Sequence, residues 1–91
     1  MNLEQQKELI NLYNQYQTID KDIIKTNIKR YMAQNNIKPG TLAVLTNIPI
    51  QTIYQLRKHN NQYKPDFMIT LVICDAIGIS ITAVMVSLQR N

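Results

Sequence analysis

Seven cationic side chains, Lys25, Lys29, Arg30, Lys38, Arg57, Lys58 and Lys64, fall between residues 23 and 64, and no Asp or Glu interrupts them. The acids lie to either side: Glu4, Glu8, Asp20 and Asp22 come before the run, Asp66 and Asp75 after it. A modest net charge of +4 therefore hides a concentrated local excess. The chemistry that suits such a run is contact with phosphates, as along a nucleic-acid backbone, where each bound cation releases condensed counterions. A plainer reading, a solvated face in a Lys-rich chain, uses the same residues.

Catalytic chemistry finds little material here. The chain has one His and one Cys. It has no paired carboxylates on a recognisable face, no Gly-rich phosphate loop and no serine in a nucleophile elbow, so no enzyme is expected. No cofactor, metal or small-molecule substrate is expected either. His59, beside Lys58, reads as a solvated or phosphate-touching side chain because no second ligand lies at metal spacing. Cys74 sits among apolar neighbours such as Ile73 and Ala76, which reads as a buried thiol in a reducing compartment.

Ninety-one residues suit one domain and exclude the large α/β scaffolds of metabolic enzymes. Hydrophobic residues at 45% against 18% charged are enough for a small folded core. Residues Met1 to Lys7 lack the basic and apolar regions of a secretory signal, so a cytoplasmic location is expected. The apolar stretch from Phe67 to Leu88 has the length of a membrane span. Asp75 near its centre would cost about 2.5–3.5 kcal/mol there, and Gly78-Ile79-Ser80 reads as a helix stop and restart, so no membrane association is expected.

The elements that must carry these residues are all helical. Leu9, Leu12, Tyr13 and Tyr16 keep an i, i+3, i+4, i+7 spacing, with Asn2 as N-cap and Gln5 three residues on, so the chain opens with an amphipathic helix ending near Gln17. Asp20 caps a second helix to about Gln34, with Ile19 and Ile24 placed for a hydrophobic staple and Ile24, Ile28 and Tyr31 on one face. Asn35 and Asn36 make its exit turn. Pro39 starts a third helix whose apolar side is Leu42, Ala43 and Leu45. Asn47 suits a left-handed turn, and Ile48 and Pro49 open a fourth helix containing Ile53 and Leu56. A polar loop, His59 to Lys64, closes at Pro65. Asp66 caps a fifth helix ending before Gly78, and Ser80 caps a sixth with Ile81, Val84, Met85 and Leu88 on one face.

Two separated stretches carry a family resemblance. In the first, Leu42-Ala43, three residues, Asn47-Ile48, then Ile53 and Leu56 match a small alanine, a turn residue and two later apolar contacts. In the second, Lys64-Pro65-Asp66 is followed by Leu71, Ile73, Ala76, Ile77-Gly78-Ile79-Ser80 and Val84. In this order they resemble the lambda-repressor-like family, the Cro and cI or XRE group of helix-turn-helix DNA-binding proteins, over residues 23 to about 88. Asn47 replaces the usual glycine, Lys38-Pro39 stands where the family often has Ser-Gln, Pro49 where it often has Ser, and Arg57 where it often has Glu.

The resemblance implies an all-α fold: a compact five-helix lambda-repressor-like helix-turn-helix domain at 20–91, with the amphipathic helix at 1–19 as an addition. It implies that the helix at about 49–58 enters the major groove of double-stranded DNA. Ile50, Gln51 and Gln55 fall at its base-reading positions, with Thr52 and Tyr54 beside them. A glutamine amide can pair with adenine N7 and N6, and Ile50 with a thymine methyl, so an A·T-rich operator is expected. Backbone contacts are expected from Lys38, Arg57, Lys58 and Lys64, aided by the amides after Pro65 with Asp66 in partial opposition. Asn60, Asn61 and Gln62 are either further phosphate donors or plain loop residues.

Relatives in this family bind pseudo-palindromic sites as dimers, which implies a homodimer. Val84, Met85, Val86 and Leu88 at one end, or Leu9, Leu12, Tyr13 and Tyr16 at the other, are the interface candidates. The N-terminal stripe serves equally for packing on its own domain. The expected function is a sequence-specific DNA-binding transcriptional regulator, read as a repressor, with a regulatory protein partner as a further route of control. The alternative is a protein-interaction module, an inhibitor or adaptor, that reuses the fold.

Overall fold

The computed structural model describes residues 2–59 and 61–87, and among these the chain forms five α-helices and one turn of 3-10 helix. They are α1 (Leu3–Thr18), α2 (Lys21–Gln34), α3 (Pro39–Thr46), α4 (Ile50–Leu56) and α5 (Phe67–Ile77), followed by the 3-10 turn Ile81–Val84. No strand occurs among the described residues. No helix among them is long and apolar enough to cross a membrane.

Local hydrogen bonds set most of the boundaries. Asn2 Oδ1 accepts from the Gln5 amide at 2.8 Å while Gln5 Oε1 accepts from the Asn2 amide at 3.1 Å, a complete capping box. The α1 C-terminus is closed by Lys21, whose ammonium donates to the carbonyls of Tyr16 and Ile19. Asp20 accepts from the Asp22 amide, and Asp66 Oδ1 from that of Ile69 at 2.8 Å. Pro39 occupies the first turn of α3, where its missing N–H is no loss. Gly78 ends α5 in the left-handed conformation at φ 89°.

Three residues, Asn47 to Pro49, join α3 to α4. Asn47 adopts φ 60°, ψ 23° and its amide bonds back to the Ala43 carbonyl, turning the chain within one residue. Asn47→Ala is expected to cost about 1 kcal/mol, because a Cβ-bearing residue without a short polar side chain is strained there, whereas Asn47→Gly should hold stability. Urea midpoints of the two variants check this. Helix α4 begins at Ile50 and not at Ile48: a residue before proline avoids helical geometry, and the Pro49 carbonyl accepts the first helical amides, those of Thr52 and Ile53. Its regular part stops at Leu56, with Arg57 and Lys58 bonded back by i to i−3 contacts.

The core is built from Ile24, Ile28 and Met32 of α2, Leu42 of α3, Ile53 and Leu56 of α4, and Ile73 and Cys74 of α5. Phe67 at the start of α5, Tyr16 of α1 and the C-terminal Ile81, Val84 and Met85 complete it. Leu45 departs from expectation: it lies on the surface, as does Val44 beside it, while Leu42 and Ala43 face inward. Burial pushes the Cys74 thiol up to about 11, away from reactivity at neutral pH.

Both ends are pinned to this core by a single polar side chain each. Tyr16, wholly buried, donates its hydroxyl to the Pro65 carbonyl at 2.6 Å and accepts from the Thr70 hydroxyl at 2.7 Å. Phe67 meets the rings of Tyr13 and Tyr16 edge-on, each at 5.4 Å between centroids. At the other end Asn27, buried on α2, donates through Nδ2 to the carbonyls of Val84 and Val86, both at 2.8 Å. This tether accompanies a departure from the sequence expectation. Among the described residues the chain makes one 3-10 turn in place of a full sixth helix, residues 85–87 form no regular element, and Leu88 lies outside the described residues.

Candidate functional site

Helix α4 owes its orientation to Ile53 and Leu56, both buried, which turn the opposite side of the helix outward. Gln51, Tyr54 and Gln55 stand exposed on that side, Ile50 is exposed at the helix start, and Thr52 is half-buried. Gln51 and Gln55, four residues apart, therefore share a face. Beside them runs a shallow groove of about 400 Å³, lined by Gln51, Tyr54, Gln55, Arg57 and Lys58 and, from α2, Lys29. It has three cations and no carboxylate in its lining. Lys29 and Lys58 are exposed, and Arg57 Nε is buried without a hydrogen-bond partner among the described residues.

The seven cations of the central run thus separate by role. Lys29, Arg57 and Lys58 line the groove. Lys38 is exposed at the N-cap of α3, where its side chain makes no capping bond. Lys64 lies 4.0 Å from Asp22, a partly exposed pair worth little in water. Arg30 donates to Asn27 Oδ1 at 3.0 Å, which supports the C-terminal tether. Lys25 is only 1% exposed and belongs to the interior, not to the surface that the charge pattern suggests. Its ammonium donates to Asn61 Oδ1 at 2.5 Å and to the Tyr63 carbonyl at 3.2 Å, and desolvation lowers its affinity for the proton.

No known protein family, curated protein or solved structure matches this chain.

In the loop after α4, of the two readings open to Asn61 the hydrogen bonds favour the plain loop residue. Both hydrogens of Asn61 Nδ2 are spent inside the molecule, on the Gln55 carbonyl at 3.1 Å and on Gln55 Oε1 at 3.0 Å, so this amide is not free to meet a phosphate. Gln62 and His59 are exposed, and Asn60 lies outside the described residues. At the start of α5 the Ile69 amide is already engaged by Asp66 and is not free for a phosphate either.

The two apolar ends are likewise divided. Val84, Met85 and Tyr16 are buried within the chain and present little or no surface to a second copy. The physical reason is that the 3-10 turn directs Val84 and Met85 against α2 and α5, while Tyr16 is held at the start of α5. Leu12 is half-buried, and Leu9, Tyr13 and Val86 remain exposed. Lys29 is the groove residue that site assignment from sequence missed. It belongs to the cationic run, but only the packing of α2 on α4 brings it beside Gln51 and Gln55.

Proposed function

We propose that the chain is a sequence-specific double-stranded DNA-binding regulator, a repressor of the lambda-repressor-like helix-turn-helix kind, that lays α4 in the major groove. The observation that carries this reading is the groove itself: exposed glutamine amides on α4 bordered by Lys29, Arg57 and Lys58 with no acid among them. Cations at the rim of a helix attract phosphates and fix the helix in register, while amides on its face meet base edges. Gln51 is assigned to base reading, Ile50 to a thymine methyl, and Lys29, Lys58 and Arg57 to the flanking backbone. A short α3, a tight turn at Asn47 and a short α4 in succession support this reading. The protein acts as a homodimer on a pseudo-palindromic operator, through the apolar surface left on α1 by Leu9 and Tyr13 and at Val86.

Selection of bound sequences from a random duplex pool at near-physiological salt, with molecular mass from light scattering, tests the reading. The expected result is an inverted repeat with half-sites about one helical turn apart and a dimer mass. Binding without enrichment that fades steeply with salt would leave phosphate attraction alone and defeat it. One observation favours the rival reading of a protein-interaction module. Val44 and Leu45 on α3 and Ile10 on α1 are large, apolar and mostly exposed, as a protein-binding surface would have them.

A further inference from the structure

Gln55 does not hang free from α4. Its carboxamide oxygen accepts from Asn61 Nδ2 at 3.0 Å, and the orientation of that contact follows from groups whose hydrogen-bonding sense cannot change. Asn61 Oδ1 faces the Lys25 ammonium at 2.5 Å and the Tyr63 amide at 3.2 Å, both of which only donate, so the atom facing them must be oxygen. The other end of the Asn61 amide faces the Gln55 backbone carbonyl at 3.1 Å, which only accepts, so that end must be nitrogen. The Gln55 side-chain atom facing that nitrogen must then be Oε1. What remains for the outside is Nε2 with both of its hydrogens, while Oε1, already accepting once, keeps only one lone pair.

We propose that Lys25 and Asn61 are positioning residues for sequence reading: they pin the Gln55 amide oxygen-inward, so that Gln55 presents donors and selects a base edge rich in acceptors, guanine N7 and O6 above all. This rests on the reading of α4 as a major-groove helix, and it departs from the adenine pairing that a freely turning glutamine would allow. A free amide can place oxygen against adenine N6 and nitrogen against N7 together, whereas an oxygen held by Asn61 is turned towards the protein. Cytosine, whose major-groove edge offers a donor, is the base most disfavoured. Lys25 is suited to this part because it is buried. Its ammonium is held by protein acceptors and keeps Asn61 from turning over, where a solvated lysine would exchange partners with water.

Three full-length proteins test the proposal: the unaltered chain, Asn61→Asp and Asn61→Ala. Side-chain amide NMR without DNA reads the pinning directly. In the unaltered chain the Asn61 NH₂, bonded twice though at the surface, should exchange more slowly with water than that of Gln55. In Asn61→Asp the introduced carboxylate can only accept: it loses the contact to the Gln55 backbone carbonyl, and the Gln55 NH₂ is the donor within its reach, so that NH₂ should turn inward and its exchange should slow. In Asn61→Ala the Gln55 NH₂ should exchange freely with no slow partner. Selection from a random duplex pool then reads the consequence. Under Gln55 the unaltered chain should favour guanine over cytosine by roughly tenfold, Asn61→Asp should reverse that order, and Asn61→Ala should flatten it.

Backbone amide spectra establish that each variant is folded, and Asn61→Ala serves if the carboxylate is not tolerated. A Gln55 NH₂ that exchanges slowly in the unaltered chain, or a base preference identical in all three proteins, overturns the proposal. The expected exchange pattern together with no sequence preference at all overturns instead the DNA-reading role of α4, and with it the part assigned here to Lys25 and Asn61.

Discussion

Tyr16→Ala is expected to lower the free energy of unfolding by about 3–5 kcal/mol, the usual cost of removing a buried aromatic side chain. Against the roughly 5–15 kcal/mol of typical domains, a reduction of that size brings a small chain near its unfolding threshold. Tyr16 is the main joint between α1 and the remainder. Its ring packs edge-on against Phe67 and under the Lys21 ammonium, and its hydroxyl joins Pro65 and Thr70. Tyr16→Phe keeps the ring and leaves the Pro65 carbonyl and Thr70 hydroxyl without their partner, at about 1–2 kcal/mol. Urea unfolding at neutral pH measures both, and a Tyr16→Ala variant as stable as the parent would show that α1 is not held in this way.

The same residue sets an alkaline limit. Burial pushes the Tyr16 hydroxyl up to about 12 from an ordinary 10.0. The unfolded chain therefore loses its phenolic proton first. The stabilisation is fully present below the unfolded value and is lost as pH rises from about 10 towards 12. Cys74, pushed up to about 11 from 9.0, adds a decline that begins lower. Tyr16→Phe should keep the parts of the alkaline decline that belong to Cys74 and to Tyr63, whose phenol burial also raises, and lack the part that belongs to Tyr16, a difference visible in urea midpoints taken across that range. Equal declines in the two proteins would contradict the assignment.

The second large effect concerns binding. Removing both Lys29 and Lys58 by substitution with alanine should flatten the dependence of log affinity on log salt by about 0.9 for each phosphate that is no longer neutralised, close to two in all. Affinity should fall on every duplex alike, with little change in stability because both side chains are exposed. Gln51→Ala should behave differently, holding the salt slope and relaxing preference at one base pair by about 1–3 kcal/mol. Fluorescence anisotropy on a labelled duplex over a salt series separates the two. A slope unmoved by the double substitution would exclude this groove as the phosphate-contacting surface.

Much of this architecture is legible from short-range chemistry. Asn2 with Gln5, Asp20, Asn47, Asp66, Gly78 and Ser80 each mark a helix end in the sequence and do so in the structure through bonds that span a few residues, while Pro39 marks one through its missing N–H. The outward face of α4 is legible for a similar reason: Ile53 and Leu56 must be covered, and helical periodicity then places Gln51 and Gln55 on the far side.

Side chains whose partners lie far along the chain were not legible. Lys25 and Lys29 look alike in sequence, four residues apart on one helix, yet one is buried against Asn61 and Tyr63 and the other borders the groove. Asn61 reads as a loop donor until Lys25, 36 residues away, takes its oxygen. Val84 and Met85 carry helical spacing, but Asn27 holds the chain so that they enter the core through one 3-10 turn. The sequence by itself determined where helices begin and end and that cations gather in its middle, because capping and charge are properties of neighbouring residues. Only the tertiary structure decided which of those cations remain on the surface and which way Gln55 points, because burial and buried hydrogen bonds depend on what the rest of the chain brings alongside.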